Sequence, residues 1–211
     1  MPPRRNPMPD EYYASSPVLE AFIAHVLDVV GATPSPPRRV ERMRPAFGEL
    51  LSASNWLPDE FTCANPNSTM GGGIASYLIY RRADRSLTLH ALIVPVGAQT
   101  PIHDHLAWGL VGLYRGEQDE EVFRRHDRGE ISGKASLSLV ERRALKPGDF
   151  YTLLPPEGDI HRVRTTSSVP SISIHLLGSD LGCVLRHAYD LPHGMVHDFR
   201  SGYANVECEN S

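Results

Sequence analysis

The chain has 211 residues, which at about 150 residues per domain corresponds to one main domain with a substantial appendage. Lysine and arginine number 21 against 25 aspartate and glutamate residues, giving a formal net charge of −4. Because no basic excess exists, the chain is a poor candidate for binding nucleic acid or an anionic membrane surface. Hydrophobic residues make up 41 % and charged residues 22 %, which is typical of a globular protein and not of a disordered chain.

The first element after a loose tail over residues 1–14 is predicted to be a helix. Ser16 followed by Pro17 is a helix start, with serine as the cap and proline in the first turn. Apolar residues then recur at helical spacing as far as Val30. Gly31 and the proline-rich run after it end the helix.

A second helical pattern covers residues 40–51, where Pro45 either kinks the helix or begins a fresh turn. Together the two patterns predict an N-terminal helical segment over residues 1–55. The remaining residues, 56–211, are predicted to form the main domain.

Beyond residue 77 the pattern changes to short apolar or alternating runs bounded by Gly, Pro and Asp. They cover residues 77–82, 87–96, 110–115, 135–140, 150–154, 172–177 and 184–189. This spacing predicts an antiparallel sandwich or barrel and not βαβ units. The N-terminal helices then either cap the barrel or make a dimer contact, so we expect a monomer or a homodimer.

The chain is expected to be cytoplasmic. No apolar run of signal-peptide length follows the N-terminus, and no stretch approaches the roughly 18 apolar residues of a membrane span. Cys63, Cys183 and Cys208 are odd in number and widely spaced, so no disulfide framework is expected. Cys183 is expected to be a buried, inert thiol.

Two histidines separated by one residue, His103 and His105, are predicted at the end of the strand that starts near Leu87. Residues i and i+2 of a strand face the same side, so the two imidazoles can bind one metal ion. His161 follows as a third histidine. Such a trio favours a metal site over three unrelated histidines.

The residues around this trio resemble the two signature motifs of the cupin superfamily, a small β-barrel that holds a metal inside. In chain order they read Gly97-x5-His103-x-His105, Gly116, Gly148 and Pro156-x-Gly158-x2-His161. The resemblance implies an all-β cupin double-stranded β-helix barrel with a short N-terminal α-helical segment. The usual glutamate ligand is replaced by Gly109, which leaves three neutral imidazoles, a set that suits Fe, Zn, Cu, Ni or Mn.

A longer similarity connects the chain with the thiol dioxygenases, which include cysteine, 3-mercaptopropionate and mercaptosuccinate dioxygenases. The matching segments are residues 100–117, 158–163 and 173–175, and the similarity covers about residues 55–190. Members hold non-haem Fe(II) with three histidines and add both atoms of dioxygen to a thiol, which gives a sulfinic acid. The resemblance implies Fe(II) as the cofactor. It implies His103, His105 and His161 as metal ligands, with Ser173 and His175 as the first two members of a catalytic Ser-His-Tyr chain.

The sequence departs from that family at the tyrosine, whose position is Leu177 here. Leucine cannot donate the hydrogen bond that the tyrosine hydroxyl would supply. The crosslink of animal enzymes is also excluded, because Gly109 stands at the cysteine position. His175 alone, or Tyr151 or Tyr80, could supply the missing donor.

Arg186 lies in a segment, residues 178–186, that resembles bacterial 3-mercaptopropionate-type enzymes, where the arginine binds the substrate carboxylate. A guanidinium makes a bidentate contact that lysine would not reproduce. Animal-type cysteine dioxygenases use a Tyr-x-Arg run instead, which reads Tyr77-Leu78-Ile79 here. The resemblance therefore implies Arg186 as the substrate-binding residue and a mercapto acid as the substrate. The alternative is a surface salt bridge at Arg186.

Mercaptosuccinate would need a second cation for its second carboxylate. The candidates are Arg81, Arg82, Arg162 and Arg164, and the sequence does not rank them.

The remaining polar residues are expected to be structural. Asp104 should point away from the metal, and the acidic run 117–121 should be a solvated turn. Surface or satisfied histidines are expected at positions His126, His187, His193 and His197.

The leading hypothesis is an Fe(II)-dependent dioxygenase that uses dioxygen and a small thiol carboxylate such as 3-mercaptopropionate or mercaptosuccinate. A second hypothesis, suggested by Leu177, is a cupin dioxygenase or isomerase of a non-thiol metabolite. A third is a metal-binding cupin without turnover, which acts as a sensor or store.

Overall fold

The structure, a computed structural model, describes residues 9–208. Helix α1 spans Pro17–Ala32, and the Ser16 side chain caps it by accepting a hydrogen bond from the Leu19 backbone N–H at 3.2 Å. Helix α2 spans Pro36–Ser52 and keeps Pro45 inside one continuous helix. A short 3-10 helix follows at Asp59–Thr62. None of the helices in residues 9–208 is long and apolar enough to cross a membrane.

The remaining elements are β-strands that pair antiparallel in two six-stranded sheets. The strands of the described residues are β1 Glu11–Tyr12, β2 Ala75–Arg81, β3 Thr88–Val94, β4 Ile102–His103, β5 Gly109–Arg115, β6 Gln118–Arg125, β7 Leu137–Leu145, β8 Phe150–Leu153, β9 Ile160–Thr165, β10 Ser171–Leu177, β11 Arg186–Asp190 and β12 Met195–Phe199. The strand order is β1-β2-β3-β10-β5-β8 in sheet A and β12-β11-β4-β9-β6-β7 in sheet B. The predicted all-β cupin barrel with a short helical segment is confirmed.

Two local predictions are wrong. The strand that starts near Leu87 ends at Val94, so His103 lies on its own strand, β4, in the opposite sheet. The tail predicted over residues 1–14 contains β1, which pairs with β2. The first eight residues of that tail lie outside the described residues.

Strands β3 and β10 are buried along their whole length, because sheet A is covered on both faces. The outer face of β10 carries Ile172, Ile174 and Leu176, which belong to the same hydrophobic cluster as residues of α1 and α2. The inner face carries Ser173 and His175, since alternate residues of a strand point to opposite sides. The helices therefore form the wall behind the strand that carries these polar residues.

The cysteine prediction is wrong for one pair. Cys183 and Cys208 form a disulfide, which closes a loop with a sequence separation of 25, whereas Cys63 is free and exposed. The spacing of three cysteines gave no sign of this pairing, since the partners meet only through the path of the chain after β12.

Residues 200–208, here called the strap, return from β12 across the barrel to the opposite sheet. The backbone N–H of Ala204 donates to the Ser76 carbonyl at 2.7 Å. The Asn205 side chain bonds to both the N–H and the carbonyl of Leu78, each at 2.9 Å. The strap is thus attached to one edge of β2 through Ala204 and Asn205 before it reaches the disulfide.

Candidate functional site

The three predicted ligand histidines lie together in the barrel interior. His103 on β4 and His161 on β9 are direct cross-strand partners, and His105 follows β4 by two residues. One ring nitrogen of each lies within 4.8 Å of the others, and all three side chains are buried. This spacing fits a single metal ion held by three imidazoles.

The outward nitrogen of each ring is already engaged, which leaves the inward nitrogen for a ligand. The Nδ1 atom of His103 lies 2.9 Å from the Pro101 carbonyl oxygen, and that of His105 lies 3.2 Å from the Asp159 carbonyl oxygen. The Nδ1 atom of His161 lies 2.6 Å from a carboxylate oxygen of Glu120, while its Nε2 is buried without a hydrogen-bond partner. A buried imidazole nitrogen without a partner is what a metal ligand looks like before the ion is added.

The surroundings of His103 and His105 favour the neutral imidazole, which is the form that binds metals. Burial holds the pKa of His103 well below its ordinary value, and the nearby His161 and Arg186 lower it further. Burial also lowers the pKa of His105, although the Asp159 side chain opposes part of that change.

The prediction that residues 117–121 form a solvated turn is wrong, and Glu120 is the residue for which this matters. Residues from Gln118 onward form strand β6, in which alternate side chains enter the barrel. The Glu120 side chain is therefore buried, with one carboxylate oxygen near His161 and the other 3.3 Å from Nη1 of Arg143. Burial acts to raise the pKa of Glu120, but the contacts with His161, Tyr151 and Arg143 outweigh it and lower the pKa.

Two aspartates order the loop that carries the ligands. The Asp159 carboxylate accepts hydrogen bonds from the backbone N–H groups of His105 and Leu106, at 3.0 and 3.2 Å. The Asp104 carboxylate faces away from the cluster and accepts from the His187 backbone N–H at 2.8 Å and the Tyr189 hydroxyl at 3.0 Å. Asp104 thereby ties the ligand loop to β11.

Ser173 and His175 lie on the opposite wall of the interior, on β10. The Ser173 hydroxyl oxygen is 2.9 Å from Nε2 of His175, whereas Nδ1 of His175 is buried without a partner. The His175 ring stacks on His90 with centroids 4.7 Å apart and lies 6.3 Å from the His105 ring. The pair therefore adjoins the three-histidine cluster directly.

His90 is a site residue that the sequence analysis missed. It is the cross-strand partner of His175, and its own Nδ1 is buried without a partner. Burial, reinforced by the positive charge of Arg186, lowers the pKa of His90 to about 3. The sequence signal that could have found His90 is its place among the alternate positions of the strand whose side chains face the barrel interior.

The position of the absent tyrosine is filled by close packing. Leu177 and Gly109 are cross-strand partners, and a Cβ on Gly109 would lie 2.5 Å from Cδ2 of Leu177. Neither tyrosine that the sequence suggested as a substitute reaches His175. Tyr80 donates its hydroxyl to Asp10, and the Tyr151 hydroxyl lies 3.3 Å from Nδ1 of His161.

Arg186 lies at the edge of this interior and is buried, so it is not in a surface salt bridge. Its Nη1 donates to the Asp104 carbonyl oxygen at 2.7 Å and its Nη2 to the Ser201 hydroxyl of the strap at 3.0 Å. The guanidinium lies over the Phe199 ring, 4.5 Å from the centroid. Burial lowers the pKa of Arg186 to about 10, so the group remains a cation at neutral pH.

Within residues 9–208, Arg186 has no carboxylate ion pair and its Nε has no hydrogen-bond partner. Three of the other four candidate cations lie against carboxylates. Arg81 binds Glu11 and Asp180, Arg82 lies 3.6 Å from Asp84, and Arg162 binds Glu121, while the Arg164 side chain is exposed.

Unpartnered buried polar atoms concentrate in this interior. Six such side-chain atoms occur in the described residues, and four of them belong to His90, His161, His175 and Arg186. Because buried polar groups are nearly always hydrogen-bonded in folded proteins, this concentration indicates a ligand site. The histidines His126, His187, His193 and His197 lie outside the metal-binding group.

Comparison with solved structures returns matches that include cupin domains. A recombinant oxalate oxidase in complex with glycolate is 15 % identical, with a TM-score of 0.40, covering 53 % of this chain and 54 % of that one. A Cupin_2 domain of an XRE family transcriptional regulator from Enterobacter cloacae is 19 % identical, with a TM-score of 0.34, covering 49 % of this chain and 94 % of that one. The Schizosaccharomyces pombe Cnp3 cupin domain is 10 % identical, with a TM-score of 0.38, covering 55 % of this chain and 71 % of that one.

This chain therefore spans about half of the oxalate oxidase chain. No protein-family model matches the sequence. The TM-scores are too low to support a functional comparison, so the description of the protein depends on its own strand order and interior. These define a cupin-type β-barrel with a buried three-histidine cluster, bordered by a Ser-His pair and an unpaired arginine.

Proposed function

We propose that this protein is an Fe(II)-dependent thiol dioxygenase that oxidises a small mercapto-carboxylate, 3-mercaptopropionate-like or mercaptosuccinate-like, to its sulfinate. Both atoms of dioxygen are added to sulfur, which loses four electrons while dioxygen gains four, so no further reductant is needed. The partners in this proposal are the thiol and dioxygen, without nucleic acid or membrane, and the protein acts as a cytoplasmic monomer or homodimer.

The observation that carries the proposal is the pairing of a metal-type histidine cluster with one buried, unpaired cation. His103, His105 and His161 present the donor set, and Arg186 supplies the positive charge beside it. A guanidinium with a free Nε–H is suited to a carboxylate, because charge-assisted hydrogen bonds are the strong ones. Arg186 would hold the carboxylate end, so the length between carboxylate and sulfur determines which thiol fits.

When bound, Fe(II) supplies the electron transfer that activates dioxygen and the positive charge that stabilises a thiolate. The ring of His175 is held in place by Ser173 at Nε2, and its Nδ1 is buried without a partner. Burial holds the pKa of His175 well below its ordinary value, so the ring is neutral and offers one donor and one acceptor. With the Ser173 hydroxyl donating to Nε2, the Nδ1–H of His175 is available to hydrogen-bond an oxygen atom of the reacting group.

The commitments of the other arginines favour a substrate with one carboxylate. Arg81 is occupied by Glu11 and Asp180, and Arg162 is occupied by Glu121. A second substrate carboxylate would need one of these ion pairs to break. We therefore expect 3-mercaptopropionate to be a better substrate than mercaptosuccinate.

A second candidate function is favoured by Leu177. Within residues 9–208 the hydrogen-bond chain stops at His175, whose Nδ1 has no partner, and the hydroxyls of Tyr80 and Tyr151 are engaged elsewhere. A cupin dioxygenase or isomerase of a non-thiol metabolite, or a metal-binding sensor without turnover, would not need that hydroxyl.

The test is oxygen uptake by anaerobically Fe(II)-loaded protein with cysteine, 3-mercaptopropionate, mercaptosuccinate and cysteamine, with mass spectrometry for the two added oxygen atoms. Arg186→Met should raise KM by about 10- to 100-fold, because it removes a charge-assisted contact. Arg164→Met is the matched control, since that arginine is exposed, and should behave as the wild type. Absence of sulfinate with every thiol, although iron is bound, would overturn the proposal in favour of the second candidate.

A further inference from the structure

The three histidines of the cluster differ in the group that stands behind each ring. His103 and His105 place Nδ1 against backbone carbonyl oxygens, of Pro101 at 2.9 Å and of Asp159 at 3.2 Å. His161 places Nδ1 against a carboxylate oxygen of Glu120 at 2.6 Å. One ring of three therefore donates to a negatively charged acceptor, and at the shortest distance.

Asp159 does not serve His105 in the same way. Its carboxylate lies 3.6 Å from Nδ1 of His105, and it accepts hydrogen bonds from the backbone N–H groups of His105 and Leu106. The Asp159 side chain is therefore committed to holding the loop. Glu120 is the carboxylate that contacts a ring nitrogen of the cluster directly.

The Glu120 carboxylate has a second contact that holds it in place. Its second oxygen lies 3.3 Å from Nη1 of Arg143, whose guanidinium lies 5.1 Å from the centroid of the Tyr151 ring. The Glu120 side chain is 1 % exposed. A carboxylate fixed from two sides can set the orientation of the imidazole and raise its electron donation.

We propose that Glu120 is a positioning residue for the metal centre, which orients His161 and supplies negative charge behind a donor set that itself contains no carboxylate. The donor set contains three imidazoles and no carboxylate, and Gly109 has no room for a side chain, because a Cβ there would lie 2.3 Å from the Leu176 carbonyl oxygen. The Glu120 carboxylate supplies negative charge to the site through its contact with Nδ1 of His161. This inference rests on the metal site of the proposed function. It goes beyond that function by assigning Glu120 as the source of negative charge at the site.

The test compares Glu120→Gln with Glu121→Gln. The first substitution keeps the side-chain length and a hydrogen-bond acceptor but removes the charge behind His161. The control makes the same change at the next residue of β6, where the side chain bonds to Arg142 and Arg162 instead. Co(II) binding to the metal-free proteins is followed by its visible absorption against a competing chelator.

Glu120→Gln should bind Co(II) about 10- to 100-fold more weakly than the wild type, with altered absorption bands, while Glu121→Gln binds as the wild type. Equal affinities and spectra for Glu120→Gln and the wild type would overturn the inference while leaving the metal site standing. No Co(II) binding by the wild type would overturn both the inference and the proposed function.

A measurement on the unaltered chain covers the case in which Glu120→Gln does not fold. In the Zn(II)-loaded wild type labelled with nitrogen-15 at histidine, the Nδ1 proton of one ligand should resonate well downfield of the other two. The reason is that a short hydrogen bond to a carboxylate deshields the proton more than one to a carbonyl. Three similar proton shifts would overturn the assignment.

Discussion

Breaking the Cys183–Cys208 disulfide should lower the stability of the protein substantially. The bond closes a loop with a sequence separation of 25 and joins the strap to the segment that precedes Arg186. In the chain-entropy treatment a loop of that length contributes about 3.5 kcal/mol, since opening it returns conformational freedom to the unfolded chain. For a protein of this size that corresponds to a melting temperature lower by roughly 7–14 °C.

The assay is calorimetric unfolding of the wild type with and without a phosphine reductant, beside a Cys183→Ser, Cys208→Ser double variant. Cys63→Ser is the matched control, because Cys63 is free and exposed. The reduced wild type and the double variant should melt at the same lowered temperature, and Cys63→Ser should melt as the oxidised wild type.

Two results would refute this reasoning. One is a double variant that melts with the wild type, which would mean that the hydrogen bonds of the strap hold it without the bond. The other is a Cys63→Ser variant that melts as low as the reduced protein. The comparison also bears on the cellular compartment of the protein, since a reducing cytoplasm disfavours structural disulfides. In such a cytoplasm the protein would be present in its reduced form.

Two further predictions concern packing and pH. Gly109→Ala should lower the free energy of unfolding in urea by about 1–3 kcal/mol, because its Cβ would meet the Leu176 carbonyl oxygen at 2.3 Å. Gly31→Ala should instead stabilise the protein, since Gly31 lies in α1 with open space around it. A stability loss no larger at Gly109 than at Gly31 would contradict this packing argument. Stability should fall as the pH drops below 6.5 towards 3, because the unfolded chain binds a proton at His90 that the folded chain, with a pKa of about 3, does not. His90→Gln should flatten this dependence of stability on pH relative to the wild type. The same change at the exposed His25 is the control and should leave the dependence unchanged. Equal slopes for the two variants would contradict the role of His90.

The start of α1 and the Ser173–His175 pair were predictable because they depend on local signals. Ser16 and Pro17 mark the start of α1, and the structure places the cap there. The pairing of Ser173 with His175 follows from alternation along one strand. These two features need no knowledge of which strands are neighbours. The ligand role of His161, which meets His103 only across β4 and β9, was instead implied by the resemblance to the cupin motifs.

The features that the sequence did not predict all depend on cross-strand neighbours. Glu120 appears in a run of acidic residues that is typical of a surface, and only the pairing of β6 with β9 places it behind His161. His90 gains its role from being opposite His175 on β10. The disulfide partner Cys208 reaches Cys183 only because the strap returns across the barrel.

The double covering of β10 has a consequence for redesign. A slip of one residue would turn His175 towards the helices and place Ile174 and Leu176 in the barrel interior, so both the core and the polar site oppose it. The register is therefore protected from two directions. A substitution at the inward Ser173 therefore leaves the strand in place, because the aliphatic positions on either side keep the register, and its effect is confined to the hydrogen bond that holds His175.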